Sequence, residues 1–418
     1  MIYELLNTLS KSFDFPGAYL FNFLSFRASL SAATALIITI LFGKKIIDKL
    51  RSLQVGESVR DLGLAGQKEK EGTPTMGGLM ILGAILLPTL LFADLKNIYI
   101  QMMILTTVWM GIIGFIDDYI KIFKRNKKGL PGKFKVFGQI SLGIIIGSIM
   151  YFHSDIYVKK EIAENEVNRF SQEQISTVKS FDGRKHYMAK IDAPITTIPF
   201  IKGQQINYEK PVVMIFGENA RPYAWIFFIG VIIFIITAIS NGANLTDGID
   251  GLATGTSAIM GVVLFALVYI SGNIIFANYL NIMYIPHIGE LVVFVAAFVG
   301  ATIGFLWYNS FPAKVFMGDT GSLAIGGIIA SLAIITRKEW MLPLLAGIFL
   351  VENLSVVMQV GWFKYTKKKY GEGRRIFLMS PLHHHYQKIG YHESKIVTRF
   401  FIVGILLAIL TVATLKMR

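Results

Sequence analysis

The chain reads N-G-A-N-L-T-D-G-I-D-G-L at residues 241–252, between two apolar runs that, with their flanks, are long enough to cross a bilayer. Asn241 and Asn244 are three residues apart, as are Asp247 and Asp250, so each pair can share one side of a helical turn. Carboxylates and carboxamides are costly to bury at that depth without partners. The stretch therefore predicts a ligand site at a membrane face, or else a polar loop that caps two helices.

The composition of the whole chain is that of a polytopic membrane protein. Of its 418 residues 53% are hydrophobic and only 16% are charged, and mean hydropathy is +0.55. A membrane-spanning helix needs about 20 apolar residues. We therefore expect an all-α integral membrane protein with about ten transmembrane helices, at residues 20–42, 75–93, 98–116, 134–152, 223–240, 252–270, 289–308, 321–336, 341–362 and 396–416.

The distribution of positive charge predicts the orientation of these helices. More than half of the 41 lysines and arginines lie in the loops that follow predicted spans one, three and nine, whereas the short loops after spans two and eight carry only Lys96, Arg337 and Lys338. By the positive-inside rule the first group of loops is cytoplasmic and both termini are periplasmic. Basic loops on one face suit membrane lipids and phosphate-bearing ligands, so we expect no binding of nucleic acid. The absence of cysteine excludes disulfides and thiolate metal sites.

One long hydrophilic insertion, residues 153–222, follows the fourth predicted span and is therefore expected on the extracytoplasmic side. Within it, residues 186–191 and 212–216 have the pattern of β-strands. We therefore expect a small β-containing appendage there, and no function is evident for it.

Other polar clusters fall on the predicted cytoplasmic side. The run K-E-G-T-P-T-M-G-G at residues 70–78 opens the second span, and D-D-Y ends the third. Lys70 beside a helix start is electrostatically unfavourable unless an anion lies between them. Asp117 and Asp118 point about 100° apart on a helix. One of the two is expected to face a cavity and the other to be held by a neighbour such as Lys121, although both could also be solvated carboxylates at a helix exit.

Two further ionisable residues are candidates for the site, one just before the eighth predicted span and one within the ninth. Asp319, within F-M-G-D-T-G-S, could cap the helix that follows, or could offer a hard oxygen ligand to Mg²⁺. Glu352 falls in the middle of the ninth span, where an ionisable side chain is by default paired or functional. We expect it to pair with a basic neighbour inside the bundle.

The last basic loop contains P-L-H-H-H-Y at residues 381–386. Three successive side chains diverge in a helix or a strand, so at most two of His383, His384 and His385 can enter one site. The other candidate ligands are Asp and Asn, which suit Mg²⁺ better than zinc. We therefore interpret the histidines as hydrogen-bond donors to phosphate groups or as residues that transfer protons.

Taken together, these motifs resemble a known family. D-D-Y, N-x-x-N-L-T-D-G-x-D-G-L, V-F-M-G-D-T-G-S-L and P-L-H-H-H-Y occur in the order found in the polyprenyl-phosphate phosphosugar transferases. Within that superfamily, G-T-P-T-M-G-G and the three histidines are similar to the bacterial phospho-N-acetylmuramoyl-pentapeptide transferases. The resemblance covers nearly the whole chain, and the 153–222 insertion, longer than expected for the family, is the departure from it.

The resemblance implies an activity. A member of this family transfers phospho-MurNAc-pentapeptide from UDP-MurNAc-pentapeptide to undecaprenyl phosphate, forming lipid I and UMP for peptidoglycan biosynthesis, with Mg²⁺, at the cytoplasmic face of the bacterial inner membrane. Residues 1–418 would then form a single polytopic transmembrane catalytic domain. Two alternatives stay open, a UDP-GlcNAc:polyprenyl-phosphate GlcNAc-1-phosphate transferase and a nucleotide-sugar transporter. The oligomeric state, a homodimer included, is left open as well.

The resemblance also implies roles for residues at matching positions. The catalytic group would be Asp117, Asp118, Asp319, His383 and His384, of which Asp319 and Asp117 would bind the metal. The uridine pocket would be lined by Lys70, Gly248, Ile249, Asp250 and Phe316. The surroundings of the diphosphate and the metal would include Thr75, Asn241, Asn244, Asp247 and Asn309. Further substrate contacts would come from Lys121, Lys133 and His385.

Overall fold

The computed structural model of the chain describes residues 17–53, 70, 72–126, 128–162, 175–179, 185–191, 193–200, 205–280 and 282–415. Part of the first predicted cytoplasmic loop, with Arg60 and Lys68, lies outside these ranges. So do parts of the 153–222 insertion and the last residue of the tenth predicted span.

The described part of the chain is mostly helical. Its α-helices are α1 (Leu24–Leu53), α2 (Gly78–Phe92), α3 (Ile98–Ile122), α4 (Gly132–Phe152), α5 (Glu209–Phe216), α6 (Ala224–Thr246), α7 (Leu252–Ser271), α8 (Ile274–Leu280), α9 (Leu291–Asn309), α10 (Gly318–Ile335), α11 (Leu342–Leu345), α12 (Gly347–Tyr370), α13 (Leu382–Ile389) and α14 (Glu393–Ala413). Short 3-10 helices lie at Ala18–Asn22, Glu218–Tyr223, Ile288–Glu290 and Glu339–Met341.

Each predicted span falls on one of these helices, except that 341–362 is divided between α11 and α12, and not all of the helices have the length of a span. Within the described ranges, eight helices are long and apolar enough to cross a membrane. A ninth span results if Glu339–Leu345 and Gly347–Tyr370, which are bent by 79° relative to each other, cross the membrane together. Helix α2, at the predicted span 75–93, has only 15 residues. The described residues thus form a multi-pass membrane protein with eight or nine helices of spanning length, where the sequence predicted ten.

Helix α10 is the centre of the bundle. Almost all of its residues are buried, and its small side chains let neighbouring helices approach closely. A Cβ added at Gly326, for example, would lie 2.5 Å from the Cα of Ser240 in α6. The outermost helices, α1 and α14, instead leave apolar side chains such as Ile37 and Ile402 exposed. Lipid would solvate these faces.

Two more glycines bring helices α2 and α3 against the start of α10. A Cβ at Gly78 would lie 2.1 Å from the backbone nitrogen of Gly321, and a Cβ at Gly114 would lie 2.2 Å from the carbonyl oxygen of Asp319. The loop before α2 is also joined to the loop before α10, because the backbone N–H of Gly78 donates to the carbonyl of Met317 at 2.8 Å. The beginning of α10 is therefore enclosed by backbone on two sides.

The described part of the insertion contains two small antiparallel sheets. Strands β1 (Val158–Ile162), β2 (Ile175–Lys179) and β3 (Lys185–Ile191) form one sheet in the order β1-β3-β2, with Lys160 opposite Ala189 and Thr177 opposite Tyr187. Strands β4 (Ile195–Thr197) and β5 (Gln205–Asn207) form the other. The segment 186–191 is thus a strand, as predicted.

The prediction of a second strand in the insertion was wrong. Residues 212–216 belong to helix α5, not to a strand. Asn207 accepts a hydrogen bond from the backbone N–H of Glu209 at 2.9 Å, and Pro211 lies in the first turn, where a helix needs no proline N–H. These start signals outweigh the strand preference of the β-branched residues that follow.

The insertion packs on the connection between α10 and α11. The hydroxyl of Tyr208 donates to Glu339 at 2.7 Å, and the ammonium group of Lys338 donates to the hydroxyl of Thr197 at 2.9 Å. Burial lowers the pKa of Lys338 to about 8. Thr197 also donates its backbone N–H to the carbonyl of Arg337 at 3.0 Å. These bonds satisfy polar groups that would otherwise be buried without partners.

A buried ion pair ties α1 to α9 at the same end as the insertion. The guanidinium group of Arg27 binds the carboxylate of Glu290, with Nη2 and Oε2 2.9 Å apart, and also donates to the carbonyl of Phe92 at 3.0 Å. Glu290 in turn accepts the backbone N–H of Asp94 at 2.7 Å. Three chain segments thus meet at one pair of charges.

Substitution of Glu290 by Gln is expected to destabilise the fold by roughly 3–5 kcal/mol, because it removes the carboxylate that binds the buried guanidinium group of Arg27. Thermal unfolding of the detergent-solubilised protein measures the loss. Glu218→Gln is the control, since Glu218 forms an exposed pair with Arg221, and such pairs contribute less than about 1 kcal/mol. Equal melting temperatures for the two variants would contradict the expectation.

Candidate active site

Three carboxylates from two helices meet at one end of the bundle. Asp117 and Asp118 lie near the end of α3, and Asp319 is the second residue of α10. These three residues, called the acidic cluster below, each place one oxygen within 4.8 Å of the other two. The sequence predicted that residues about 200 positions apart would share a site, and the fold brings them together.

Within the acidic cluster, Asp118 caps helix α10 from outside. Its oxygens accept the backbone N–H groups of Asp319 at 3.1 Å and Thr320 at 2.9 Å, and the Thr320 hydroxyl at 2.6 Å. The first N–H groups of a helix have no partner within it, so a carboxylate there satisfies them and also interacts favourably with the helix dipole. Gly318, with φ of 72°, turns the chain into this position. The capping role considered for Asp319 thus belongs to Asp118, because the residue at the N-cap position of α10, Met317, makes no side-chain capping bond.

Two lysines neutralise the remaining carboxylates of the acidic cluster. Lys121 forms a salt bridge with Asp117 and lies 3.1 Å from Asp319, and Lys135 lies 2.9 Å from Asp117 and forms a salt bridge with Asp319. Asp117 also accepts the backbone N–H of Leu130 at 2.8 Å. The neighbour that Lys121 holds is therefore Asp117, while Asp118 is held by the helix.

Lys135 was missed in the sequence, where Lys133 was chosen instead. Both belong to the run G-K-F-K at the start of α4. Helical side chains two positions apart point about 200° apart, so only one of the two can face the acidic cluster. The ammonium group of Lys133 lies 5.3 Å from the ring centroid of Phe134, on the exposed side. The helical phase of α4, had it been known, would have distinguished them.

The donor set of the acidic cluster fits a hard divalent cation. Carboxylate oxygens are the ligands that Mg²⁺ prefers in proteins. Asp247 lies close by, at the end of α6. Burial raises the pKa of the Asp247 carboxyl well above its usual range, and the charges of Asp319, Asp118 and Asp250 raise it further. A divalent cation would relieve this excess of negative charge.

The predicted amides are all engaged within the protein. Asn241 exchanges two hydrogen bonds of 3.2 Å with Gln139 of α4, and Asn244 donates to the hydroxyl of Ser322 at 2.9 Å. Asn309 is buried, accepts from Thr254 at 2.8 Å and donates to the carbonyl of Val315 at 3.0 Å. These bonds fix α6 and the loop before α10 in place. Asn241 and Asn244 are only half-buried, so they retain an accessible side.

The residues predicted for the uridine pocket meet beside the acidic cluster. The ammonium group of Lys70 binds Asp250 and Glu393, each at 2.7 Å, and lies 6.0 Å from the ring centroid of Phe316. Asp250 also accepts the backbone N–H of Ala313 at 2.9 Å. Glu393 was not among the predicted site residues.

Ile249 was also predicted for the uridine pocket, whereas Thr75 was predicted for the surroundings of the diphosphate and the metal. The side chain of Ile249 is buried in a small apolar cluster with α14. Thr75 lies beside the start of α10, where a Cβ at Gly318 would lie 2.9 Å from its hydroxyl oxygen. Because the same Cβ would lie 2.6 Å from an oxygen of Asp118, Thr75 lies beside the acidic cluster.

The three histidines diverge, as expected. His383 and His384 are buried with ring centroids 4.2 Å apart, whereas His385 packs against Phe377 and accepts the backbone N–H of Leu378 at 3.2 Å. Nδ1 of His383 lies 3.0 Å from the buried carboxylate of Glu352. The prediction that Glu352 pairs with a basic neighbour is thus confirmed.

The segment 247–251 joins these groups into one site. Asp247 faces the acidic cluster, and Asp250 binds the ammonium group of Lys70. Between them, a Cβ at Gly248 would lie 2.2 Å from Nε2 of His383. Acids, imidazoles and ammonium groups from α3, α10, α13 and the loop before α2 therefore converge around the stretch that stood out in the sequence.

A groove leads sideways from this site. It has a volume of about 410 Å³ and lies between α6 and α12, with Phe234, Ala238, Leu245 and Asn353 in its lining. Phe234 is 72% exposed on the lipid-facing side. At the other end the groove reaches the amides of α6 described above. An apolar chain in the bilayer could thus enter the bundle without crossing water.

Comparison with known proteins agrees with this site. Residues 185–337 match the family described as glycosyl transferase family 4, and residues 70–82 match the phospho-N-acetylmuramoyl-pentapeptide-transferase signature 1. Proteins named phospho-N-acetylmuramoyl-pentapeptide-transferase are 59% identical in Flavobacterium psychrophilum, 57% in Flavobacterium johnsoniae and 49% in Porphyromonas gingivalis, each alignment covering 100% of both chains.

The alignment with the Flavobacterium psychrophilum protein extends over all 418 residues, so it includes the 153–222 insertion. The length of the insertion is therefore not peculiar to this chain. Identity of this degree over the whole length, together with the matching signature, means that the chain belongs to the phospho-N-acetylmuramoyl-pentapeptide transferase family, a family of phosphosugar transferases.

Proposed function

We propose that the protein transfers phospho-MurNAc-pentapeptide from UDP-MurNAc-pentapeptide to undecaprenyl phosphate, forming lipid I and UMP in peptidoglycan biosynthesis. The observation that carries the proposal is the convergence of the acidic cluster with Lys121 and Lys135, in a chain whose full-length relatives are named for this activity. The positive-inside rule supports a site on the cytoplasmic face of the bacterial inner membrane.

In this proposal Asp319 and Asp117 hold Mg²⁺. When bound, the ion supplies positive charge to the diphosphate oxygens. Lys121 and Lys135 contact the same two carboxylates, so they lie close enough to bind phosphate oxygens beside them. Concentrated positive charge is the main requirement, because a dianionic acceptor must approach a charged diphosphate.

Undecaprenyl phosphate would approach through the groove between α6 and α12. Its apolar chain suits the exposed end at Phe234, and its phosphate suits the amide groups of Asn241 and Asn244 at the other end. A phosphate monoester has a second pKa near 6, so the acceptor is mostly dianionic at neutral pH. The nucleophile therefore needs orientation more than it needs a base.

The donor would bind with its base near Phe316 and Lys70. Its two phosphates would then lie towards the acidic cluster, with His383 and His384 beside them. In the reaction a phosphate oxygen of the acceptor attacks the phosphorus that carries the sugar. The bond from this phosphorus to the oxygen of UMP breaks, and UMP leaves with the electron pair.

Two mechanisms are compatible with these products. In direct attack, Asp117 orients the lipid phosphate or takes a residual proton from it. In the alternative, a carboxylate such as Asp118 first forms a covalent intermediate. The hydrogen bonds from the start of α10 favour direct attack, because they engage both oxygens of Asp118 and leave it a poor nucleophile.

Direct attack predicts inversion of configuration at the transferred phosphorus. A donor with a chirally labelled sugar-bearing phosphate, analysed after a single turnover, measures this outcome. Two successive displacements through an aspartyl phosphate would instead give retention, and retention would rule out the mechanism preferred here.

Asp319→Asn is expected to lower Mg²⁺-dependent release of UMP by on the order of 10²–10³-fold, because the cation loses a charged ligand where negative charge must be stabilised. The assay uses purified protein with UDP-MurNAc-pentapeptide and undecaprenyl phosphate. Asp94→Asn is the matched control and should keep full activity, since Asp94 lies beyond the far end of α2. A preference for UDP-GlcNAc as donor would favour the GlcNAc-1-phosphate transferase instead.

Mg²⁺ binding is expected to release protons from Asp247. The raised pKa of this carboxyl falls when a cation binds nearby, so affinity for Mg²⁺ should increase as pH rises through the pKa of the ion-free protein. Isothermal titration calorimetry in buffers of different ionisation enthalpy counts the protons. Asp247→Asn should lower the number of protons released, and an unchanged proton count in that variant would contradict the assignment.

A further inference from the structure

We propose that Glu393 is a positioning residue which, through Gln387, fixes His384 in the neutral tautomer that carries its proton on Nδ1, while also holding Lys70 in the pocket. His384 then offers Nε2 to a hydroxyl or N–H group of the donor substrate rather than a proton to a phosphate oxygen. The second part rests on the proposed function, because it takes the pocket to bind the nucleotide-sugar donor.

The two oxygens of Glu393 serve two different partners. Glu393 is the first residue of α14. Its Oε2 lies 2.7 Å from the ammonium group of Lys70, and its Oε1 accepts a hydrogen bond of 2.8 Å from the amide nitrogen of Gln387. Because a carboxylate only accepts hydrogen bonds, Gln387 must turn its NH₂ group towards Glu393.

This orientation determines what His384 faces. With its NH₂ group committed, Gln387 presents its carbonyl oxygen to Nδ1 of His384, at 2.6 Å. A carbonyl oxygen cannot donate, so the hydrogen in this contact must belong to Nδ1. In a neutral imidazole the other nitrogen, Nε2, is then unprotonated and acts as an acceptor. Among the described residues, Nε2 of His384 has no hydrogen-bond partner.

The surroundings of the ring keep it neutral. Burial, together with the neighbouring imidazole of His383 and the ammonium group of Lys70, lowers the pKa of His384 to about 4. The amide of Gln387 is the partner that stabilises the protonated ring, and it carries no charge to do so. An imidazole that is neutral at neutral pH and protonated on Nδ1 has no proton on Nε2 to donate.

The adjacent histidine has a different partner. Nδ1 of His383 faces the carboxylate of Glu352 at 3.0 Å, and its Nε2 is buried without a hydrogen bond to any described residue. Two neighbouring imidazoles thus have partners of different charge, an anion for His383 and an amide for His384. This contrast assigns proton handling near the phosphates to His383 and recognition of a donor hydroxyl or N–H group to His384.

The test compares the wild-type protein with the variants Glu393→Gln and Gln387→Leu. The control is Glu372→Gln, which removes an exposed carboxylate from the loop between α12 and α13. Full-length protein labelled with ¹⁵N-histidine is examined in detergent by long-range ¹⁵N–¹H correlation, and a His384→Gln spectrum assigns the ring. UMP release measures KM for UDP-MurNAc-pentapeptide separately from kcat.

We expect the wild-type ring and the Glu372→Gln ring to carry the proton on Nδ1. In Glu393→Gln and Gln387→Leu the ring should shift towards the Nε2-protonated tautomer, and KM should rise by about tenfold, the value of one hydrogen bond, with a smaller change in kcat. A wild-type ring protonated on Nε2 would overturn the proposal. So would Glu393→Gln if it only lowered the melting temperature and left the tautomer and KM unchanged, which is the result of a merely structural role.

The ring measurement needs no substrate, so it separates this inference from the proposed function. Absence of UMP release in the wild-type protein would refute the proposed function. The tautomer of His384 in the three variants would still decide whether Glu393 positions the ring.

Discussion

The cap that Asp118 places on helix α10 is the contact on which the rest of the site depends. The N-terminus of α10 is buried, and its free N–H groups must find acceptors inside the protein. Asp118 supplies them from α3, which ties the end of one helix to the start of another. Asp117 and Asp319 are brought together as a consequence, since Asp117 directly precedes Asp118 and Asp319 donates its own backbone N–H to Asp118. A carboxylate in the acidic cluster therefore has a structural role beside the chemical one.

The stretch at residues 241–252 has a similar double role. Its first half continues α6 and bonds to α4 and α10 through Asn241 and Asn244, and its second half is a turn that contacts the acids, the histidines and Lys70. Apolar residues on either side hold it at the end of the bundle. Buried polar groups of this density persist only where nearly all are bonded or where a ligand completes them.

Much of this arrangement could be predicted from sequence, because hydropathy and helical geometry are local. The positions of the apolar helices, the divergence of the three histidines and the pairing of Glu352 follow from such rules. The choice between Lys133 and Lys135 does not, since it depends on the rotation of α4 about its axis. Nor does the role of Glu393, whose partners lie 323 residues away in Lys70 and six residues away in Gln387. Residues 212–216 were mistaken because β-branched composition describes side chains and not the hydrogen bonds that begin a helix.

The close approach of α2 and α3 to α10 bears on how the protein can be stabilised for study. Exchanging helical glycine for alanine is a common route to thermostable variants. At Gly78 and Gly114 this substitution would be destabilising, because the added methyl group would overlap the backbone of α10, which cannot move aside. At Gly83, Gly230 and Gly361, no atom of the described residues lies within 4 Å of an added Cβ, apart from the backbone of the helix itself. Engineering of more stable preparations should therefore begin at these three exposed or unpacked positions. The glycines at which α2 and α3 contact the start of α10 should be left unchanged.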